Sequence, residues 1–150
     1  MRYDGNEFGE DTTIRITATS GEASKYIEII MVPSAIIPID INKTNASTYF
    51  IVDDDSDPTA IMHPKPAFFD YINNNGCNEL KIDGLNIGAS AFENCPMMNR
   101  SSAPIHSIVI DNKSASPTAI GGSAFSGCAS IVSISLIGTN KELLLGDNAF

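Results

Sequence analysis

One six-residue phrase occurs three times in the second half of the chain and limits what that half can fold into. Ile87-Gly88-Ala89-Ser90-Ala91-Phe92 comes back as Ile120-Gly121-Gly122-Ser123-Ala124-Phe125 and as Leu145-Gly146-Asp147-Asn148-Ala149-Phe150. The shared pattern is aliphatic, Gly, two variable positions, Ala, Phe. The first two copies continue to a cysteine, Cys95 and Cys128. Phe92 and Phe125 stand 33 residues apart, and Phe125 and Phe150 stand 25 apart. Recurrence at such periods marks stacked units, each too small to bury its own apolar face. Function in a chain of this kind is read from surfaces rather than from one pocket.

Each position of the phrase has a physical role. The aliphatic residue and the Phe enter the interior, and the small Ala lets the next coil come close. The expected repeat core is Ile87, Phe92, Cys95, Ile120, Phe125, Cys128 and Phe150. Gly88, Gly121 and Gly146 suit a turn of positive φ or a point where coils touch. Strand signals follow in Ile105-His106-Ser107-Ile108-Val109-Ile110 and Ile131-Val132-Ser133-Ile134-Ser135-Leu136. Both have the aliphatic-x-x-aliphatic-x-aliphatic spacing of a leucine-rich repeat, in which one short strand per coil joins a parallel inner sheet.

The strand and the phrase Ile-Gly-x-x-Ala-Phe-x-x-Cys together resemble the BspA-like leucine-rich repeats of bacterial and protozoan surface proteins. The resemblance covers residues 87–150 and, in degenerate form, 66–86. It implies a mostly β or α/β solenoid with a parallel inner sheet and short helices or turns. It further implies a secreted or cell-surface protein that attaches to host or bacterial proteins, and small buried residues at Cys95 and Cys128. Two features depart from the pattern. The unit between Phe92 and Phe125 is longer than a usual repeat of ~20–29 residues, which places an insertion at Pro96–Pro104. The chain also stops on Phe150 within a repeat and without a polar cap, as a segment of a longer protein would.

Composition supplies exclusions. A formal charge of −9 and a pI near 4.4, with nine scattered Lys and Arg, oppose binding to nucleic acid or to anionic lipid. The apolar fraction of 43% suffices for a core, yet no apolar run reaches the ~18 residues of a membrane span. No membrane insertion is expected, and the opening Met1–Glu7 lacks the apolar core of a signal peptide.

Earlier in the chain, residues 1–11 read as a loose start. Thr13–Thr19 and Lys25–Val32 read as strands joined by a hairpin turn at Ser20–Ser24. This pair resembles the end of a bacterial immunoglobulin-like domain over residues 12–33. Ala35–Ile41 is a further strand, which Pro38 confines to an edge or to an extended linker, and Thr48–Val52 is another. Four strands fall short of the seven or so of a sandwich. Residues 1–52 are thus expected to be a small β region, either the tail of an immunoglobulin-like domain or a cap on the solenoid. An acidic and proline-rich linker is expected at 53–65, and the repeats at 66–150. Pro66 opens a short helix over Ala67–Ile72, which Asn73–Gly76 ends, and Glu79–Ile82 is the first inner strand.

Chemistry is sparse. Asp53, Asp55 and Asp57 have the odd-position spacing of a calcium loop, but Pro58 and Pro64 stand where its Gly and Glu belong. A solvated acidic turn is the simpler account. Cys77, Cys95 and Cys128 lack the spacing of zinc or redox sites. Buried thiols are expected, with a bridge between coils as the alternative. A Cys95/His106 nucleophile pair would need an exposed, electropositive thiol, and neither a nucleophile elbow nor a phosphate loop occurs. No enzyme activity and no cofactor are expected.

Surfaces remain. Alternation along the inner strands sends Glu79, Lys81, Ser107, Val109, Ser133 and Ser135 to the open concave face, where solenoids bind partners. Met97, Met98 and Arg100 of the insertion form a second candidate site, since adaptable Met and a lone Arg on a loop serve recognition. The expected function is a noncatalytic protein-binding or adhesion module for an extracellular or cell-surface protein. A structural spacer, or an accessory module of a surface hydrolase, is the alternative.

Overall fold

In a computed structural model the chain divides into two compact units, residues 1–35 and 36–150. The structure describes residues 12–20, 23–31, 35–53, 60–113, 116–140 and 142–150. The expected loose start, the centre of the hairpin turn at Gly21 and Glu22, and Asp55 and Asp57 lie outside them.

The first unit holds strands β1 (Thr12–Ser20) and β2 (Ala23–Met31). They pair antiparallel from Thr12↔Met31 to Ser20↔Ala23, as a β-rich pair of runs separated by a Gly-containing turn should.

The second unit is mostly β, with two sheets built largely of parallel strands and few helices. Its elements in order are β3 (Pro38–Asn42), α1 (Ala46–Tyr49), β4 (Phe50–Asp53), β5 (Ala60–Pro64), α2 (Pro66–Asn75), β6 (Glu79–Asp83), β7 (Asn86–Ile87), β8 (Ser107–Asn112), β9 (Thr118–Ile120), β10 (Ser133–Gly138) and β11 (Leu143–Leu145). One sheet has the order β10-β8-β6-β3 and is parallel throughout. The other has the order β11-β9-β7-β5-β4, parallel except that β4 runs antiparallel to β5.

This arrangement corrects the expected domain boundaries. The division falls after Ala35, and the segment expected to be a linker at 53–65 instead supplies β5 and the end of β4 to a sheet. Strand β3 is an edge strand, as Pro38 requires, but an edge of the same sheet as the repeat strands. The expected strand at Thr48–Val52 starts only at Phe50, because residues 46–49 close a helical turn. Helix α2 is longer than expected. Pro66 occupies its start and Gly76 ends it at φ +63, donating its N–H to Ile72 O. Only a residue that tolerates the left-handed region can stop the helix there.

Alternation explains the four-stranded sheet. Ile39, Leu80 and Ile108 share one register row and Ile41, Ile82 and Ile110 the next, and all six are buried. The phrase makes the same turn three times. Ala91, Ala124 and Ala149 each donate to the carbonyl of the phrase glycine at 3.3 Å, while Gly88, Gly121 and Gly146 donate to Ile61, Ile87 and Ile120 of the preceding strand at 2.7–2.8 Å. Between turns, Phe92 N–H reaches Ala124 O and Phe125 N–H reaches Ala149 O, both at 2.7 Å. None of the phrase glycines has positive φ; that conformation falls two residues later, at Ser90, Ser123 and Asn148.

An aromatic column runs through the interior. Phe50 and Phe68 close one end, their centroids 5.5 and 6.2 Å from Phe92. Phe92 then stacks on Phe125 at 5.0 Å, and Phe125 on Phe150 at 5.4 Å, with planes within 5° of parallel. Ile87, Phe92, Cys95, Ile120 and Phe125 are buried as expected. Cys128 is only half-buried, and Phe150 is exposed although it stacks on Phe125. The causes differ: Phe150 has a ring against one face only, that of Phe125, whereas Cys128 packs at the margin of the core with its Sγ donating to Phe92 O.

Candidate functional site

The outward face of the four-stranded sheet collects all six residues expected on the concave face. Glu79, Ser107 and Ser133 lie in one register row, and Lys81, Val109 and Ser135 in the next. Each side chain is at least partly exposed, as strand alternation demands when the intervening residues fill the core. Strand β3 extends both rows, adding Pro38 beside Glu79 and Asp40 beside Lys81.

The face is polar and partly paired with itself. Ser107 Oγ donates to Glu79 Oε2 at 2.9 Å. Lys81 Nζ lies 3.8 Å from Asp40 Oδ1, a long and solvated contact worth little by itself. Below these rows Lys113 joins Asp83 at 2.9 Å and Asp111 at 3.2 Å, and those two bonds raise its pKa, Asp83 contributing first. Val109 supplies apolar surface between Lys81 and Ser135. Such a face can recognise a polar or mixed-charge protein surface by hydrogen bonds; it carries no aromatic anchor.

Asp40 was missed by sequence reasoning, although a signal existed. Ile39-Asp40-Ile41-Asn42 has the alternation of Leu80-Lys81-Ile82-Asp83 and Ile108-Val109-Ile110-Asp111. The absence of the Ala-Phe phrase after it hid the kinship.

The second expected site needs correction. The extra residues do fall in 96–104, since Ser107 follows Phe92 by 15 positions while Ser133, its register partner, follows Phe125 by 8. But Met98 is fully buried and Met97 packs against the core. Ser130 Oγ donates to Met98 O at 2.9 Å and to Ile105 O at 2.6 Å, tying the insertion down. Of Met97, Met98 and Arg100, only Arg100 is exposed for recognition.

The thiols are poor nucleophiles. Cys77 and Cys95 are buried, and burial pushes both pKa values up. Cys128 Sγ donates to Phe92 O at 3.1 Å, and burial, with Cys95 nearby, pushes its pKa up to about 11. All three are free, so the bridge between coils is not formed. His106 Nδ1 lies 3.3 Å from Ser130 O, at a contact that does not involve Cys95. Asp53 ends β4. Among the described residues no three His, Cys, Asp or Glu side chains gather into a metal-holding group. None of their helices is long and apolar enough to cross a membrane.

A thiol prediction arises here. Only the thiolate reacts, and a pKa near 11 leaves a fraction on the order of 0.001 at pH 8. Native protein treated with Ellman's reagent at pH 8 is expected to label slowly at all three positions, with Cys128 first because it is half-exposed. Its rate should rise about tenfold per pH unit up to the pKa, and urea should release all three. Rapid native labelling of Cys95 would contradict its placement in the core.

A scan against protein-family models finds no match to this chain, and searches of curated proteins and of solved structures find none either.

Proposed function

We propose that residues 36–150 form a segment of a leucine-rich-repeat solenoid of BspA-like type and act as a noncatalytic protein-binding module of a secreted or cell-surface protein. The observation that carries this reading is the register of the outward face. Three repeat strands and β3 align without slip, so Glu79, Lys81, Ser107, Val109, Ser133 and Ser135 make a continuous surface on a rigid sheet. A face preorganised in this way binds with little ordering cost. The raised thiol pKa values, and the contact of His106 with Ser130 O rather than with a thiol, favour binding over catalysis among the described residues.

The test compares wild type with Lys81→Glu/Ser107→Arg/Ser133→Arg by surface plasmon resonance against extracellular-matrix and cell-surface protein preparations. Binding is expected to fall at least about tenfold, a loss of about 1.4 kcal/mol. Melting should barely move, because substitutions at solvated positions usually change stability by less than ~0.5 kcal/mol. Arg100→Ala is the arm for the insertion. Undiminished binding by both folded variants would dismiss both surfaces.

A structural spacer is the second reading, favoured by the Glu79–Ser107 and Lys81–Asp40 pairing that satisfies part of the face internally. It expects no ligand at all. The third, an accessory module of a surface hydrolase, expects binding to that enzyme's substrate.

A further inference from the structure

Four stretches of the chain read Asn, a residue other than Pro, then Ser or Thr. They are Asn42-Lys43-Thr44, Asn45-Ala46-Ser47, Asn99-Arg100-Ser101 and Asn112-Lys113-Ser114. This is the acceptor pattern for an N-linked glycan. The pattern is short and common, so the fold has to decide which of the four can carry a bulky, hydrated chain of sugars. The sugar takes the place of one hydrogen on the side-chain amide nitrogen, so that nitrogen must reach solvent in the folded protein.

Three of the four are tied down. Asn112 is 1% exposed, and its Nδ2 donates to Ser116 O at 3.0 Å. Asn45 Nδ2 donates to Asp40 O at 2.8 Å while its Oδ1 accepts from Asn42 N–H at 2.9 Å, so both halves of that amide fasten the turn to β3. Asn99 Nδ2 donates to Asn94 O at 3.1 Å, and its Oδ1 is buried. Asn42 differs. It ends β3, and its Oδ1 accepts from Thr44 N–H at 2.9 Å and from Thr44 Oγ1 at 2.5 Å. A backbone N–H can only donate, so the atom it meets is the amide oxygen, and the nitrogen is the half left over. Among the described residues that Nδ2 has no hydrogen-bond partner. Lys43 and Thr44 are exposed, and an open hollow lined by Asn42, Lys43, Thr44, Asp83 and Gly84 lies beside them. Asn42 stands opposite Asp83, two positions beyond the Asp40↔Lys81 pair, so strand alternation puts it on the outward face.

We propose that Asn42 is an N-glycosylation site, and that its glycan stands at the β3 corner of the outward face and covers the edge of that strand, a protection that edge strands need. The inference rests on the reading of the chain as part of a secreted or cell-surface protein, because the sugar donor, an oligosaccharide carried on a lipid pyrophosphate, is met on the secretory route. In the transfer, Asn42 Nδ2 gives up a proton to the transferase and bonds to the anomeric carbon of the first sugar. The bond from that carbon to the pyrophosphate oxygen breaks, and the lipid pyrophosphate leaves with the electron pair. Nothing is oxidised or reduced.

The test translates the 150-residue chain behind a secretory leader into endoplasmic-reticulum microsomes. Glycans on the protease-resistant, folded fraction are then released by peptide-N-glycosidase in heavy-oxygen water, and the tagged sites are read by mass spectrometry. Asn42 should carry the tag, with Asn45, Asn99 and Asn112 each at no more than about a tenth of its occupancy. Thr44→Val removes the acceptor hydroxyl at an exposed position and should lower occupancy of Asn42 at least about tenfold, whereas Thr44→Ser should keep it. An unmodified Asn42 overturns the proposal. So does a folded fraction in which any of the other three is tagged as heavily as Asn42. Protease treatment of intact source cells, with mass spectrometry of the native protein, separates this inference from the reading beneath it. A surface-exposed or released protein with a bare Asn42 overturns the glycan alone, and a protein found only inside the cell without a glycan overturns both.

Discussion

Phe125→Ala is expected to destabilise the second unit by about 3–5 kcal/mol, the range for truncating a fully buried aromatic. The ring is 3% exposed and is held on both faces, by Phe92 at 5.0 Å and by Phe150 at 5.4 Å. Removing it deletes both stacking contacts and leaves a cavity in the middle of the column, where backbone hydrogen bonds on either side oppose collapse. Domains of this size are stable by only about 5–15 kcal/mol, so the loss is a large share of the total. Phe150→Ala is the informative companion. Its ring is stacked on one face and exposed on the other, so it should cost clearly less. Urea denaturation of both variants measures the difference. A shift below ~1 kcal/mol for Phe125→Ala would show that the column does not support the fold.

Much of the second unit could be read from its residues, because two signals reinforced one another. The Ala-Phe phrase fixed which rings meet, and the strand alternation fixed which face of β6 and β8 is wet. Where only one signal was present the reading failed. β3 keeps the alternation but lacks the phrase, so Asp40 and the true boundary at Ala35 were missed. β5 is short and is flanked by the acidic, proline-rich residues that normally punctuate a chain. Its pairing with β7 is a long-range choice made by the sheet, not by local propensity. Met98 shows the converse. A methionine in an inserted loop has no period to report whether it is a recognition residue or a plug, and packing alone decided that it is a plug. Residues expected to be equivalent, Phe125 and Phe150 above all, diverge in exposure, because burial belongs to the stack and not to the phrase.

The phrase glycines give the second large effect. Their role turns out to be close approach, and the degree differs along the stack. A Cβ on Gly121 would collide with Ala89 N and lie 2.6 Å from Gly88 C, both backbone atoms of the preceding turn. Side chains can rotate away from such a contact but a hydrogen-bonded backbone cannot, and here Gly121 N–H is held to Ile87 O at 2.7 Å. Gly121→Ala is therefore expected to cost about 3 kcal/mol, the upper end of the usual overpacking range. Gly146→Ala meets the backbone of Gly121 and Gly122 in the same way, so a comparable loss is expected. In Gly88→Ala the new methyl meets first Met62 Sδ and Cε, the far end of a flexible side chain, and the loss should be smaller than for Gly121. Thermal and urea melts of the three single variants test the ordering. The same alanine would also force Phe92 and Phe125 apart, so Gly121→Ala and Phe125→Ala should be less than additive, since each disrupts the contact that the other would lose. Equal losses at Gly88 and Gly121 would mean that the glycines matter through chain entropy rather than through the contact between turns.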